Sequence, residues 1–166
     1  GRMIDYPYSV ETEQSQIECL GLLDVETTLA AEKITAQVQA EIKAEQIFAA
    51  QKDTISGYEI HMGHTKHGTE VEELFTITQR SDESVSVADG ASNKAGTIWG
   101  TYLHGIFDND FLRRGFINQL RANKGLAPLV EDEFVVEKER EQAYQKLADL
   151  MRDNLDMELL YQIISI

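Results

Sequence analysis

The sequence predicts an α/β domain built on a mixed central sheet with flanking helices, because strand-like segments come first and helical spacing follows. Three observations carry this. Residues 33–42 alternate, with Ile34, Ala36, Val38, Ala40 and Ile42 on one side and Thr35, Gln37, Gln39 and Glu41 on the other, the pattern of a half-buried strand. The run Gly96-Thr97-Ile98-Trp99-Gly100-Thr101-Tyr102-Leu103-His104-Gly105-Ile106-Phe107-Asp108 is apolar and β-branched up to a histidine and breaks at glycine. Beyond it, apolar residues recur at helical intervals. Sites in such domains lie outside the carboxyl ends of strands, where His104 falls.

Taken in order, residues 1–19 are polar and short-patterned, and Cys19-Leu20-Gly21-Leu22-Leu23 reads as a turn between buried pieces. Val25 to Leu29 is a short strand. After the alternating segment, Ile55 to Met62, Leu74 to Thr78 and Ser84 to Ala88 supply further short strands, each bounded by Gly, Asp, Ser or Asn. Asp108 or Asn109 caps a helix over Phe111 to Asn123, with Phe111, Phe116, Ile117 and Leu120 as its apolar stripe and Lys124-Gly125 closing it. From about Glu137, a series from Ala143 and Leu147 to Ile163 and Ile164 predicts one long or once-interrupted amphipathic helix. The charged stretch Glu131 to Glu141 reads as a solvated loop and helix start.

With 166 residues and 42% hydrophobic content, the chain can bury one sizeable core. Its net charge of -14 excludes a polyanionic partner such as nucleic acid and opposes an anionic membrane surface. No apolar run approaches the ~20 residues of a membrane helix, and the N-terminus lacks a signal-peptide layout. The single cysteine, Cys19, rules out an internal disulfide framework. These features together predict a cytoplasmic protein. Gly1 and Arg2 read either as a cloning remnant or as native sequence cut from a longer protein.

Chemistry centres on the histidines. A neutral imidazole presented at a turn, as at His104, can take a thiol proton and later return it to a leaving amine; the alternative is a core histidine capping a strand. His61, His64 and His67 are spaced by three. That spacing drifts around a helix and diverges at a strand end, so no metal site is expected there. Cys19 lacks the Gly-x-Cys-x-Gly elbow that activates a nucleophile, since Ile17 stands where the first glycine belongs. No glycine-rich phosphate loop is present.

Three segments resemble, in order and spacing, the C-terminal half of a class I glutamine amidotransferase domain of the cobyric acid synthase type. They are Leu20-Gly21-Leu22-Leu23-Asp24-Val25-Glu26-Thr27-Thr28, Gly57-Tyr58-Glu59-Ile60-His61-Met62-Gly63-His64-Thr65 and Gly100-Thr101-Tyr102-Leu103-His104-Gly105-Ile106-Phe107, with Arg113-Arg114, Phe116 and Leu120 similar to the helix that follows. The resemblance implies a flavodoxin-like mixed sheet, with residues 1–166 as the C-terminal portion of the domain. It makes His104 the catalytic histidine and Glu59, His61, Met62 and Gly63 candidate contacts to glutamine, although His61 and Met62 read equally well as shaping the strand end. It places the nucleophile elbow and an N-terminal synthetase domain of the same chain upstream, the latter using ATP and Mg and holding the corrinoid substrate; no cofactor is expected in these residues. The sister cobyrinic acid a,c-diamide synthase, a cell-wall amidotransferase of the same branch, and a degenerate glutamine-binding module remain open. Many class I enzymes follow the histidine with Pro and Glu, whereas here Gly105 and Ile106 follow. Asp108 or Glu59 is the candidate to take that glutamate's place, unless the site works as a Cys-His dyad.

Overall fold

One long strand, β3 (Val25–Ile42), organises the sheet. The computed structural model describes residues 1–9, 12–49, 54–129 and 135–164. The two expected segments, 25–29 and 33–42, are halves of this strand, joined through a bulge between Leu29 and Ile34 because β4 (Thr54–His67) pairs antiparallel with both. On its other edge β3 pairs in parallel with β1 (Met3–Asp5) near its start and antiparallel with β5 (Val71–Arg80) near its end. β2 (Gln16–Glu18) flanks β1, and β6 (Glu83–Asn93) flanks β5. The sheet is therefore mixed, as expected, and among the described residues its parallel component is confined to β1 and β3. The strands run longer than their apolar stretches because hairpin partners pair the polar residues at their ends.

Two very short strands, β7 (Trp99–Gly100) and β8 (Leu103–His104), lie on one chain segment. β7 pairs with β6 through Ala91↔Gly100, and β8 pairs with β4 through Tyr58↔His104 and Glu59↔Leu103. Residues 99–104 thus tie together, along one covalent segment, two strands that are otherwise far apart in the order β4-β3-β5-β6. Alternation along the strands decides which side chains turn inward. Val38, Ala40 and Ile42 of β3 join Ile55, Phe75, Ile77 and Leu103 in the core.

Helix α1 (Glu45–Phe48) follows β3, and α2 (Asp110–Asn123) follows a 3-10 turn at Ile106–Asp108. Phe48, fully buried, stacks on Phe75 at 5.4 Å and meets Trp99 edge-on at 5.5 Å, while Trp99 and Phe116 form a second edge contact at 5.7 Å. The buried face of α2 is Leu112, with Phe111 and Phe116 partly buried. The expected stripe is corrected at Ile117 and Leu120, which are exposed: a Cβ on Gly115 would lie 2.0 Å from the Phe48 carbonyl oxygen, and this close approach to α1 turns the helix about the 112–116 side. Gly125, at φ 67, ends α2, donating to Ala122 while Leu126 donates to Arg121, as the Lys124-Gly125 stop predicts. The turn at Gly21 forms too, at φ 68, but its flanks Leu20 and Leu22 are exposed rather than buried.

The chain divides into two compact units, Gly1–Pro128 and Leu129–Ile166. The second contains α3 (Val136–Asn154) and α4 (Met157–Ile164), the once-interrupted form of the predicted helix. The interruption has a cause: the Asp156 carboxylate accepts from the Leu159 N–H at 3.0 Å and starts α4. The charged segment's residues 131–134 lie outside the described residues.

Leu112 is 0% exposed, so Leu112→Ala removes a side chain with no room for the surroundings to collapse. We expect a loss of about 2–5 kcal/mol, read by urea denaturation with Trp99 fluorescence as the signal.

Candidate active site

His104 ends β8, and its side chain is exposed. Gly105 follows at φ 74, in the left-handed region that a glycine enters without strain, and turns the chain into the 3-10 segment. Behind His104 the backbone is held closely. A Cβ on Gly57 would lie 2.7 Å from the His104 carbonyl oxygen, so a side chain there would prise β8 from β4. Leu103 and Ile106 anchor both sides of the histidine in the core, each 5% exposed. Among the described residues no side chain is hydrogen-bonded to the imidazole.

The opposite face of β4 carries a buried ionic network. Because His104 pairs with Tyr58, alternation places Glu59, His61, Gly63 and Thr65 on the other side. Glu59, 2% exposed, accepts from Arg80 Nε at 2.7 Å and Arg80 Nη2 at 2.9 Å, and faces His61 Nε2 at 2.8 Å. His61 Nδ1 meets the Gly63 carbonyl at 2.7 Å. Both partners of the ring are acceptors, so both contacts are hydrogen bonds only when the ring carries two protons. The ring also stacks on Tyr102 at 4.3 Å, and a hydroxyl chain runs from Tyr102 through Thr65 to Thr27 in 2.7 Å steps. Asp89, 4% exposed, accepts from the Thr101 hydroxyl and from the Tyr102 N–H. These groups border a cavity of about 510 Å³, to which His104 does not contribute.

Burial pushes the Glu59 carboxyl upward, but the hydrogen bonds from Arg80 and His61 together outweigh it and hold the group below its ordinary value. Burial likewise raises Asp89, and there the bonds from Thr101 and Tyr102 do not compensate. A carboxyl depressed in the folded state stabilises the protein above its unfolded value, near 4.3, and that contribution disappears as pH falls through the folded value. A raised carboxyl acts in the opposite sense. Glu59→Gln should therefore be less stable than the parent at pH 7 and lose less further stability on acidification from pH 5 to 3, measured by urea midpoints across that range; a parallel pair of acid limbs would contradict the network.

The residues singled out from the sequence are thus divided. Glu59, His61 and Gly63 line the cavity, whereas Met62 lies on the His104 face of β4. Glu59, engaged by Arg80 and His61, does not orient His104. His64 and His67 border the same cavity as His61, but among the described residues no group of three or more His, Cys, Asp or Glu is placed to hold a metal. Cys19 follows β2 on a strand-to-turn segment, not a strand-to-helix elbow. β1 opposes β3 at Glu26, across from Lys66 of β4, while His104 opposes Tyr58, so roughly 25 Å of strand at ~3.3 Å per residue separates Cys19 from His104. The sequence assigns no place in this network to Arg80, Asp89 or Tyr102, and offers Asn109 only as a helix cap. Arg80 faces Glu59 only because Thr78 is an extra residue between Ile77 and Gln79, which resets the alternation of β5. Period-two counting along β5 points Arg80 away from Ile77.

His104 is thus an exposed strand-end histidine on a ladder that Gly57 permits. The chain belongs to the CobB/CobQ-like glutamine amidotransferase domain family, whose profile matches residues 1–111. It is 44% identical over 164 residues to a cobyric acid synthase of Clostridium botulinum (strain ATCC 19397 / Type A) and 41% identical over 167 residues to a cobyric acid synthase of Dehalococcoides mccartyi (strain CBDB1), each match covering 99% of this chain and 32% of the relative. The chain spans about a third of the length of these relatives.

Proposed function

We propose that this chain is the histidine-bearing portion of the glutaminase site of a glutamine-dependent cobyric acid synthase. The observation that carries the reading is the presentation of His104: an exposed imidazole at the end of β8, on a backbone held by Gly57, Leu103 and Ile106. In the reaction, a cysteine thiol attacks the carboxamide carbon of glutamine as His104 takes its proton. The tetrahedral adduct collapses to a glutamyl thioester, and the imidazolium gives the proton to the departing nitrogen, which leaves as ammonia. Water then attacks the thioester, His104 takes its proton and returns it to the thiolate, and glutamate is released. We assign the cysteine to the part of the longer protein outside this chain, on the grounds of the position of Cys19. Glutamine is held from the His104 side of β4, where Met62 lies; Glu59, His61 and Gly63 support that edge from behind.

Released ammonia would amidate peripheral carboxylates of an adenosylcobyrinic acid a,c-diamide. A synthetase domain of the same protein would activate these with ATP and Mg, in the cytoplasm. A corrinoid diamide synthase or a cell-wall amidotransferase would use His104 identically; the names of the relatives favour the first reading.

Two outcomes test this. In the full-length enzyme, His104→Ala should reduce glutamine-dependent amidation by about 10²–10⁴-fold or more while leaving ammonium-dependent amidation largely intact. Equal losses with both nitrogen donors would make His104 a packing residue. Separately, purified 1–166 should release no glutamate from glutamine, and steady release abolished by Cys19→Ala would reassign the nucleophile.

A further inference from the structure

Resting on that reading, we propose that Asn109 is a positioning residue for His104, its side-chain amide acting as a surrogate strand that extends the β4-β8 ladder past the point where the backbone turns away. The ladder itself is short. Only Tyr58↔His104 and Glu59↔Leu103 pair, and Gly105 then diverts the chain, leaving the polar backbone groups of Ser56 without a strand partner on that edge. Asn109 fills the place. Its Oδ1 accepts from the Ser56 N–H at 3.1 Å and its Nδ2 donates to the Ser56 carbonyl at 2.8 Å, the same donor-acceptor exchange that an opposing residue makes in an antiparallel pair. Nδ2 also donates to the Ile106 carbonyl at 2.9 Å. One amide therefore ties β4, two residues before Tyr58, to the turn that begins one residue after His104.

The geometry of this clamp matters for His104 because the imidazole has no hydrogen-bond partner among the described residues. Its position is set by backbone alone. The backbone is pinned on the Leu103 side by the ladder and by burial, and on the Ile106 side by burial and by Asn109. Asn109 also stands at the N-cap of α2, but its side chain makes no capping bond there. Its amide is committed to Ser56 and Ile106 instead, so capping the helix is not what the side chain does.

Aspartate separates these roles. It caps helices as well as asparagine does, but ionised it has no hydrogen to donate, and it would face the Ser56 and Ile106 carbonyls with a negative charge. Protonated, it regains one donor and one acceptor. In the full-length protein, we expect Asn109→Asp to lower glutamine-dependent kcat at pH 8 by tenfold or more, with KM for glutamine changed less than threefold and ammonium-dependent amidation retained. Asn109→Ala should show a loss of the same kind. Hydrogen exchange read by mass spectrometry adds a measure that needs no catalysis: the Ser56 amide should exchange at least tenfold faster in Asn109→Ala than in the parent. An Asn109→Asp variant matching the parent at every pH, equal losses with both nitrogen donors, or unchanged exchange at Ser56 would each overturn the proposal. Should the parent itself not use glutamine, the reading of the site fails, and the exchange result still decides the clamp.

Discussion

The approach of two backbones at Gly57 is the constraint on which this end of the molecule depends. A two-residue ladder is too short to hold a strand in place, since its few hydrogen bonds each contribute only about 1 kcal/mol net in water. β8 stays where it is because Leu103 and Ile106 are buried on either side of His104, at roughly 1.5–3 kcal/mol apiece, and because the missing Cβ of Gly57 lets the strands meet. The aromatic cluster of Phe48, Trp99, Phe107 and Phe116 then fixes the segments on both sides, since Trp99 precedes β8 and Phe107 follows it. Hydrophobic burial thus supplies the energy and hydrogen bonds supply the register.

β4 separates two kinds of work by period alone. Its odd positions build an interior network in which a carboxylate is paired with a guanidinium and meets an imidazole, and its even positions face the side on which His104 is displayed. Burying the Glu59 carboxylate costs several kcal/mol unless it is paired, and a buried ion pair is poor evidence for added stability. Beyond its pH-dependent effect on stability, its contribution is geometric. Three directed bonds to one carboxylate admit a single arrangement of β4 against β5, and therefore a single position for the edge that β8 joins.

Much of this was legible in the sequence where one residue's pattern determines its place. The alternation of residues 33–42, the break at Gly105 and the Lys124-Gly125 stop each follow from local preference, and each is present. The display of His104 followed from an apolar run meeting a glycine. What escaped depends on partners distant in sequence. The fusion of two expected strands into β3 needs β4 opposite both; the inward turn of Arg80 needs the extra residue Thr78; and the rotation of α2 toward Leu112 is set by Gly115 against Phe48. Asn109 was legible as a helix cap, and only the folded chain shows that its amide is spent on Ser56 instead.

The division of faces also bears on how an imidazole at position 104 is oriented. A carboxylate behind a catalytic histidine must lie on the same side of the sheet and within hydrogen-bond reach of its ring. Glu59 fails the first condition, because its neighbour Tyr58, not Glu59 itself, shares a face with His104. Glycine at 105 and isoleucine at 106 remove the carboxylate from the positions immediately after the histidine, and Ile106 is turned into the core. Neither Glu59 nor the positions directly after the histidine supply that carboxylate, and the backbone place of the ring is set by β8. On the proposed reading, a proton passing from thiol to amine through His104 needs that ring held in one place, and the groups that hold its backbone are the missing Cβ of Gly57, the buried Leu103 and Ile106, and the Asn109 amide that bonds Ser56 and Ile106.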